Sequence, residues 1–166
     1  DALNPGVYFV DGIGFKSIPF DKSLCKEPVE AGSGKISVLL VEPNKYPKMI
    51  EIDDTLEAMQ EVVGGDIEEY MPFEDEVAII CNEEGKITGM APNRAVYEEN
   101  SREMLDIICG KFFVAYAPFE AERFQSLPPD LAEKYREKFK YPERFMRVNN
   151  EIVAVPFKPV RADKER

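Results

Sequence analysis

The sequence predicts an α+β fold, a mostly antiparallel sheet built from hairpins with two main helices packed on it. Three observations lead there. Short apolar runs recur between turn residues, at 35–41, 76–81 and 106–116, which suits strands. Two other segments, 53–63 and 127–139, carry apolar residues at helical spacing. Glycine, proline and asparagine punctuate the joins closely enough for hairpins. With 166 residues, 44% hydrophobic and 32% charged, the chain can bury one core and is too apolar for a disordered coil. The expected organisation is an N-terminal strand segment and linker at 1–34, resembling the end of a neighbouring domain. A single α+β domain at 35–157 and a charged tail at 158–166 follow.

Each element has a local reason. Asn4, Pro5 and Gly6 form a turn before an apolar strand at 7–10, and a second extended piece is expected at 13–18. Residues 21–34 turn polar and end in Ala31, Gly32, Ser33 and Gly34, a linker composition. Gly34 and Lys35 imitate a phosphate loop, but Val29 replaces its first glycine and Ile36 replaces its Ser or Thr. That reading is refused. A strand at 35–41 stops at Pro43, and a second at 48–52 follows the turn 43–47, so the two are expected to pair as a hairpin. Asp53 or Asp54 then caps a helix, with Glu57 favourable in its first turn. Leu56, Met59 and Val63 form its apolar stripe, and Gly64 and Gly65 end it, because glycine accepts the left-handed cap conformation.

An extended piece at 66–71 and a turn at 72–75 lead into residues 76–81, an apolar run suited to a central strand. Asn82, Glu83, Glu84 and Gly85 read as a hairpin loop, Gly85 supplying a positive φ, with 86–90 returning as the partner strand. Pro92, Asn93 and Arg94 lead out of that hairpin into a polar loop at 97–102. Residues 106–116 are expected to form one long strand with Gly110 as a bulge or bend. Pro128 and Pro129 open a second helix whose Leu131, Tyr135 and Phe139 line one face. A closing strand is expected at 151–157.

The net charge of −11 is unevenly spread. Residues 51–106 hold 17 acidic against 3 basic side chains, a balance of −14, while 1–50 balance at 0 and 107–166 at +3. So acidic a centre argues against direct binding to nucleic acid phosphates and favours a partner with a basic surface. No apolar run is long enough to span a bilayer. Cys25, Cys81 and Cys109 show no paired spacing, and the chain has no histidine, which argues against a disulfide framework or a zinc site. A reducing cytoplasm is the expected location.

Several separated motifs together resemble a known family. Gly64 and Gly65 are followed by Ile67 and Glu68, and Asn82, Glu83, Glu84, Gly85 and Lys86 form one block. Pro92, Asn93 and Arg94 follow, then Asp106, Ile107 and Ile108 with Gly110, Phe112 and Phe113. In this order they resemble the bacterial domain-of-unknown-function family 3846, over roughly residues 35–145. The resemblance implies an accessory protein of conjugative elements, plasmids or phages, and it assigns no catalytic residues.

Without histidine, the cysteines lack the usual base that activates a nucleophile, so no catalytic residues are expected. The carboxylate clusters lack calcium-loop spacing, Met71 standing where the glycine belongs, so no metal or cofactor is expected either. Asn93, Arg94, Glu83 and Glu84 are the candidate binding residues. Gly64, Gly65, Asn82, Gly85 and Gly110 are the expected structural positions. In the expected hairpin, Asn82 and the Asn93 and Arg94 pair lie about 17 Å apart, one strand length, and form separate groups. The bland alternative is an Asx turn at Asn82 and an Arg94 paired with a nearby carboxylate. The function expected is a non-enzymatic protein-interaction module that binds neither nucleic acid nor membrane. The alternatives are an acidic DNA mimic acting against a host defence protein, and a small ligand-binding or metal-dependent enzyme.

Overall fold

A computed structural model describes residues 34–159, and the unit that begins at Lys35 carries the fold. The expected strand at 7–10, the linker, Cys25 and most of the charged tail lie outside the described residues. The elements in order are β1 (Lys35–Val41), β2 (Lys48–Asp53), α1 (Leu56–Val63), β3 (Ile67–Tyr70) and β4 (Val77–Asn82). Then come β5 (Pro92–Tyr97), β6 (Met104–Cys109), β7 (Phe112–Tyr116), α2 (Pro129–Lys138), β8 (Glu143–Val148) and β9 (Glu151–Pro156). The architecture is α+β, and among the described residues the strands all pair antiparallel.

Five strands form the main sheet in the order β2-β1-β7-β4-β3. Its two faces explain the apolar runs, since strands buried on both sides lose the polar half of their alternation. On one face Leu39, Val41, Ile79, Phe112 and Val114 pack with Tyr135 of α2, with Phe139 at its C-cap, and with Val96 and Ile108 of β5 and β6. On the other, Val38, Ile80, Phe113 and Ala115 pack with Met59 and Val63 of α1. The two helices thus cover opposite faces.

The β1 and β2 hairpin forms as expected. The cap of α1 does not: Thr55 is the N-cap, its Oγ1 accepting the Ala58 N–H at 3.1 Å. The two aspartates have other partners, Asp53 with Lys35 at 2.6 Å and Asp54 with Arg123 at 2.8 Å. Met59 and Val63 face the core as expected, but Leu56 in the first turn is 52% exposed. Gly64 closes the helix at φ 83°, its N–H donating to the Gln60 carbonyl at 2.8 Å.

Residues 86–90 are not a strand. Both edges of β4 are already taken, one by β3 and one by β7, so no returning partner has a place to pair. The segment instead winds into turns, with Thr88 N–H donating to the Glu84 carbonyl and Met90 N–H to that of Gly85, both at 2.9 Å. Positive φ falls on Gly89 at 82°, not on Gly85. Pro92, Asn93 and Arg94 are not an exit loop but the start of β5.

The expected long strand at 106–116 is two strands. Gly110, at φ 86°, reverses the chain between β6, which pairs with β5, and β7, which inserts between β1 and β4. β8 has no counterpart in the sequence reading. It pairs along its whole length with β9 through Asn149 and Asn150, whose φ values of 54° and 69° suit the mirror-image turns of tight hairpins.

The Tyr135 hydroxyl of α2 donates to Asp75 Oδ2 at 2.8 Å, beside the Lys134 ammonium at 2.6 Å. Lys134 and then Tyr135 hold the Asp75 carboxyl below its ordinary value of 3.8. A depressed carboxylate stabilises the fold above its ordinary pKa and loses that contribution as pH falls through the folded value. Asp75→Asn should therefore be less stable than wild type at neutral pH. The gap between their urea midpoints should close on acidification below about pH 4. An equal gap at both ends of the titration would rule out the charge as its source.

Candidate functional site

Asn93 and Arg94 open β5, and both side chains are 1% exposed. The Asn93 amide donates to the carbonyls of Val41 at 3.0 Å and Gly110 at 2.9 Å. The Arg94 guanidinium donates through Nε to the Phe139 carbonyl at 3.0 Å and through Nη2 to that of Lys45 at 2.7 Å. Its Nη1 reaches Asn93 Oδ1 at 2.8 Å and, at 3.4 Å, the Glu42 carbonyl. Burial pushes the guanidinium down to about 10, the nearby Glu143 carboxylate opposing the shift, so it remains a cation at neutral pH. One side-chain pair thus ties the end of β1, the following turn, the Gly110 bend and the C-terminus of α2 to β5.

This geometry is that of an internal staple. The guanidinium hydrogen-bonds main-chain carbonyls and the Asn93 side chain rather than a carboxylate, and it presents no face to solvent. Asn82 lies elsewhere, its amide donating to the Val63 carbonyl at 3.2 Å and its Oδ1 accepting from the Glu84 N–H at 2.7 Å. The last contact is an Asx turn. Asn82 shares no hydrogen-bond partner with Asn93 or Arg94.

Two adjoining surface pockets border β6 and share lining residues, and together they form a cleft along it. Its polar end is a cavity of about 220 Å³ lined by Glu68, Asn82, Glu83, Lys86, Asp106 and Cys109, among others. Its apolar end is a trough of about 420 Å³, lined by Pro92, Leu105, Phe145 and Ile152 and sharing Lys86, Asp106, Ile107 and Cys109 with the first. Of the candidate binding residues Glu83 lines this cavity and Glu84 does not, and Lys86, Asp106 and the apolar end are not among those candidates. The missing signal is non-local, because β6 meets the 83–90 turns only through the tertiary fold.

Lys86 and Asp106 form an ion pair at the junction of the two halves. The Asp106 hydrogen bond raises Lys86 above its ordinary value. The Asp106 carboxylate also accepts the Ile107 N–H at 2.8 Å, occupying an amide on the outer edge of β6. Gly85 abuts the other end of β6: a Cβ there would lie 2.7 Å from the Cys109 carbonyl oxygen.

Burial raises the Cys81 thiol to about 12 and shifts Cys109 in the same direction, so both stay protonated and weakly nucleophilic at neutral pH. Among the described residues no group of three or more Cys, Asp or Glu is placed to hold a metal ion, and no helix is long and apolar enough to cross a membrane. Three carboxylates against one ammonium favour a cation at one end of the cleft, and aliphatic and aromatic side chains favour an apolar group at the other.

Residues 36–140 match the family model described as Domain of unknown function (DUF3846). The chain belongs to this family. No curated protein and no solved structure matches it. The DUF3846 domain runs from β1 to just past α2, so it contains the whole Asn93 and Arg94 staple and the polar half of the cleft. It stops before β8 and β9. Phe145 and Ile152, which wall the apolar trough, are thus supplied from outside the matched DUF3846 segment.

Proposed function

We propose that this DUF3846 protein is a non-enzymatic interaction module whose cleft along β6 takes a segment of a partner protein bearing apolar residues next to Lys or Arg. It would act as an accessory protein of a mobile genetic element, as the resemblance in the sequence implies. The observation that carries the reading is the continuity of an acidic cavity with an apolar trough across the Lys86 and Asp106 pair. Because Asp106 covers the Ile107 amide, recognition there relies on side chains rather than on strand addition. A DNA mimic has less support. Asp53, Asp54, Asp75 and Asp106 each sit in an ion pair, which breaks up the stripe of free carboxylates that imitation of phosphates requires.

The test is fluorescence anisotropy with labelled hexapeptides in which leucine alternates with lysine, with glutamate or with serine. The leucine–lysine peptide should bind roughly tenfold or more tighter than the leucine–glutamate peptide, a gap that narrows with added salt. Leu105→Ser should weaken it without changing the thermal midpoint by more than about 2 °C. Equal binding of all three peptides, or binding indifferent to Leu105→Ser, would remove the cleft as the recognition site.

A further inference from the structure

The β8 and β9 hairpin has two faces, and among the described residues one is turned toward β5 and β6, with Glu143, Phe145 and Ala154 partly buried and Ile152 45% exposed. On the inner face Glu143 accepts the Ala95 N–H at 2.8 Å, and Phe145 and Ile152 wall the trough. The outer face consists of three cross-strand pairs: Arg144 with Val155, Met146 with Val153, and Val148 with Glu151. Its four apolar residues are between 38% and 48% exposed. A hairpin with one wet face alternates apolar and polar residues, and a two-stranded hairpin alone is marginal in water. Apolar residues on both faces are the composition of a strand pair covered on both sides.

We propose that the outer face of this hairpin packs against the same face of a second copy of the chain. The charges choose the occupant. Arg144 stands at the base of the face, its guanidinium 4.5 Å over the Phe157 ring, and Glu151 stands at the tip. A twofold axis demands a self-complementary patch, in which one residue meets another and the reverse contact follows. Two hairpins laid tip to base satisfy it: Arg144 meets Glu151 twice, with Met146 and Val153 at the centre. The hairpin also lies outside the segment that carries the excess negative charge. Residues 51–106 balance at −14, whereas 143–156 hold two arginines and two glutamates and balance at 0. The site differs from the cleft, which borders the opposite face of the hairpin, so either reading can fail without the other.

The face is about 20 Å long and two strands wide. That falls short of the roughly 800 Å² per partner of a standard interface, so the dimer is weak, with a dissociation constant on the order of 10 to 100 µM. Sedimentation equilibrium of the full chain from about 1 µM to about 1 mM should show a reversible monomer–dimer equilibrium across that range. Arg144→Glu or Glu151→Arg alone should weaken it roughly tenfold, and the double variant should return it to within about threefold of wild type. Met146→Lys should abolish it. Circular dichroism of each variant checks that the hairpin is retained. A monomer at every concentration, a dimer untouched by Met146→Lys, or a double variant no tighter than Arg144→Glu would each overturn the proposal.

Discussion

Arg94→Ala is expected to lose about 4 kcal/mol of stability or more, a large part of the 5–15 kcal/mol typical of a domain. The reason is what the substitution leaves behind. The carbonyls of Phe139 and Lys45 and the Asn93 side-chain oxygen, at 2.7 to 3.0 Å from the guanidinium, lose their donor together. A buried acceptor without a partner, here the Phe139 carbonyl and the Asn93 oxygen, costs about 1–3 kcal/mol, the part-buried Lys45 carbonyl costs less, and the emptied volume adds to it. Arg94→Lys should recover less than about half of the loss. An ammonium is a compact point charge, and it cannot span acceptors that the planar guanidinium reaches with three separate nitrogens. Urea denaturation of the three proteins decides the matter. An Arg94→Ala protein within about 1 kcal/mol of wild type would show that the staple is dispensable.

Gly85→Ala is expected to cost about 2 kcal/mol and to remove peptide binding in the cleft. Its added Cβ would stand 2.7 Å from the Cys109 carbonyl oxygen, which is main chain and cannot swing aside. The 83–90 turns would have to move away from β6, carrying Glu83 and Lys86 off the polar cavity. Gly89→Ala is the control. It meets no atom within 4 Å, but its φ of 82° is left-handed, so it should cost about 1–2 kcal/mol of backbone strain and leave binding intact. Equal binding loss in both variants would mean that flexibility of the turn, not the contact with β6, maintains the cleft.

The parts of the fold legible in the sequence are those governed by neighbours in the chain. β1, β2, β4 and both helices follow from side-chain period and turn residues, and the left-handed Gly64 and Gly110 sit where punctuation was expected. Errors gathered where a choice depended on distant segments. Residues 86–90 have an acceptable strand composition, but β7, from more than 20 residues further on, takes the edge of β4 they would need. The pairings of Asp53 with Lys35 and Asp54 with Arg123 similarly leave the cap of α1 to Thr55. β8 is not legible in the sequence although Asn149 and Asn150 are good residues for its turn, because its apolar positions lack a clean one-faced alternation.

The sequence by itself determined that this is an acidic α+β chain, which runs must be buried, and that residues 36–140 carry the motifs of the DUF3846 family. Only the tertiary structure decided what Asn93 and Arg94 are for. A cation in an acidic stretch suits a ligand or an ion pair equally well when read along the chain. Burying it demands acceptors, and those come from residues 42, 45 and 139, which meet only when β7 enters between β1 and β4 and α2 closes over them. The cleft has the same origin, since its charge comes from local carboxylates and its shape from strands that sequence order keeps apart.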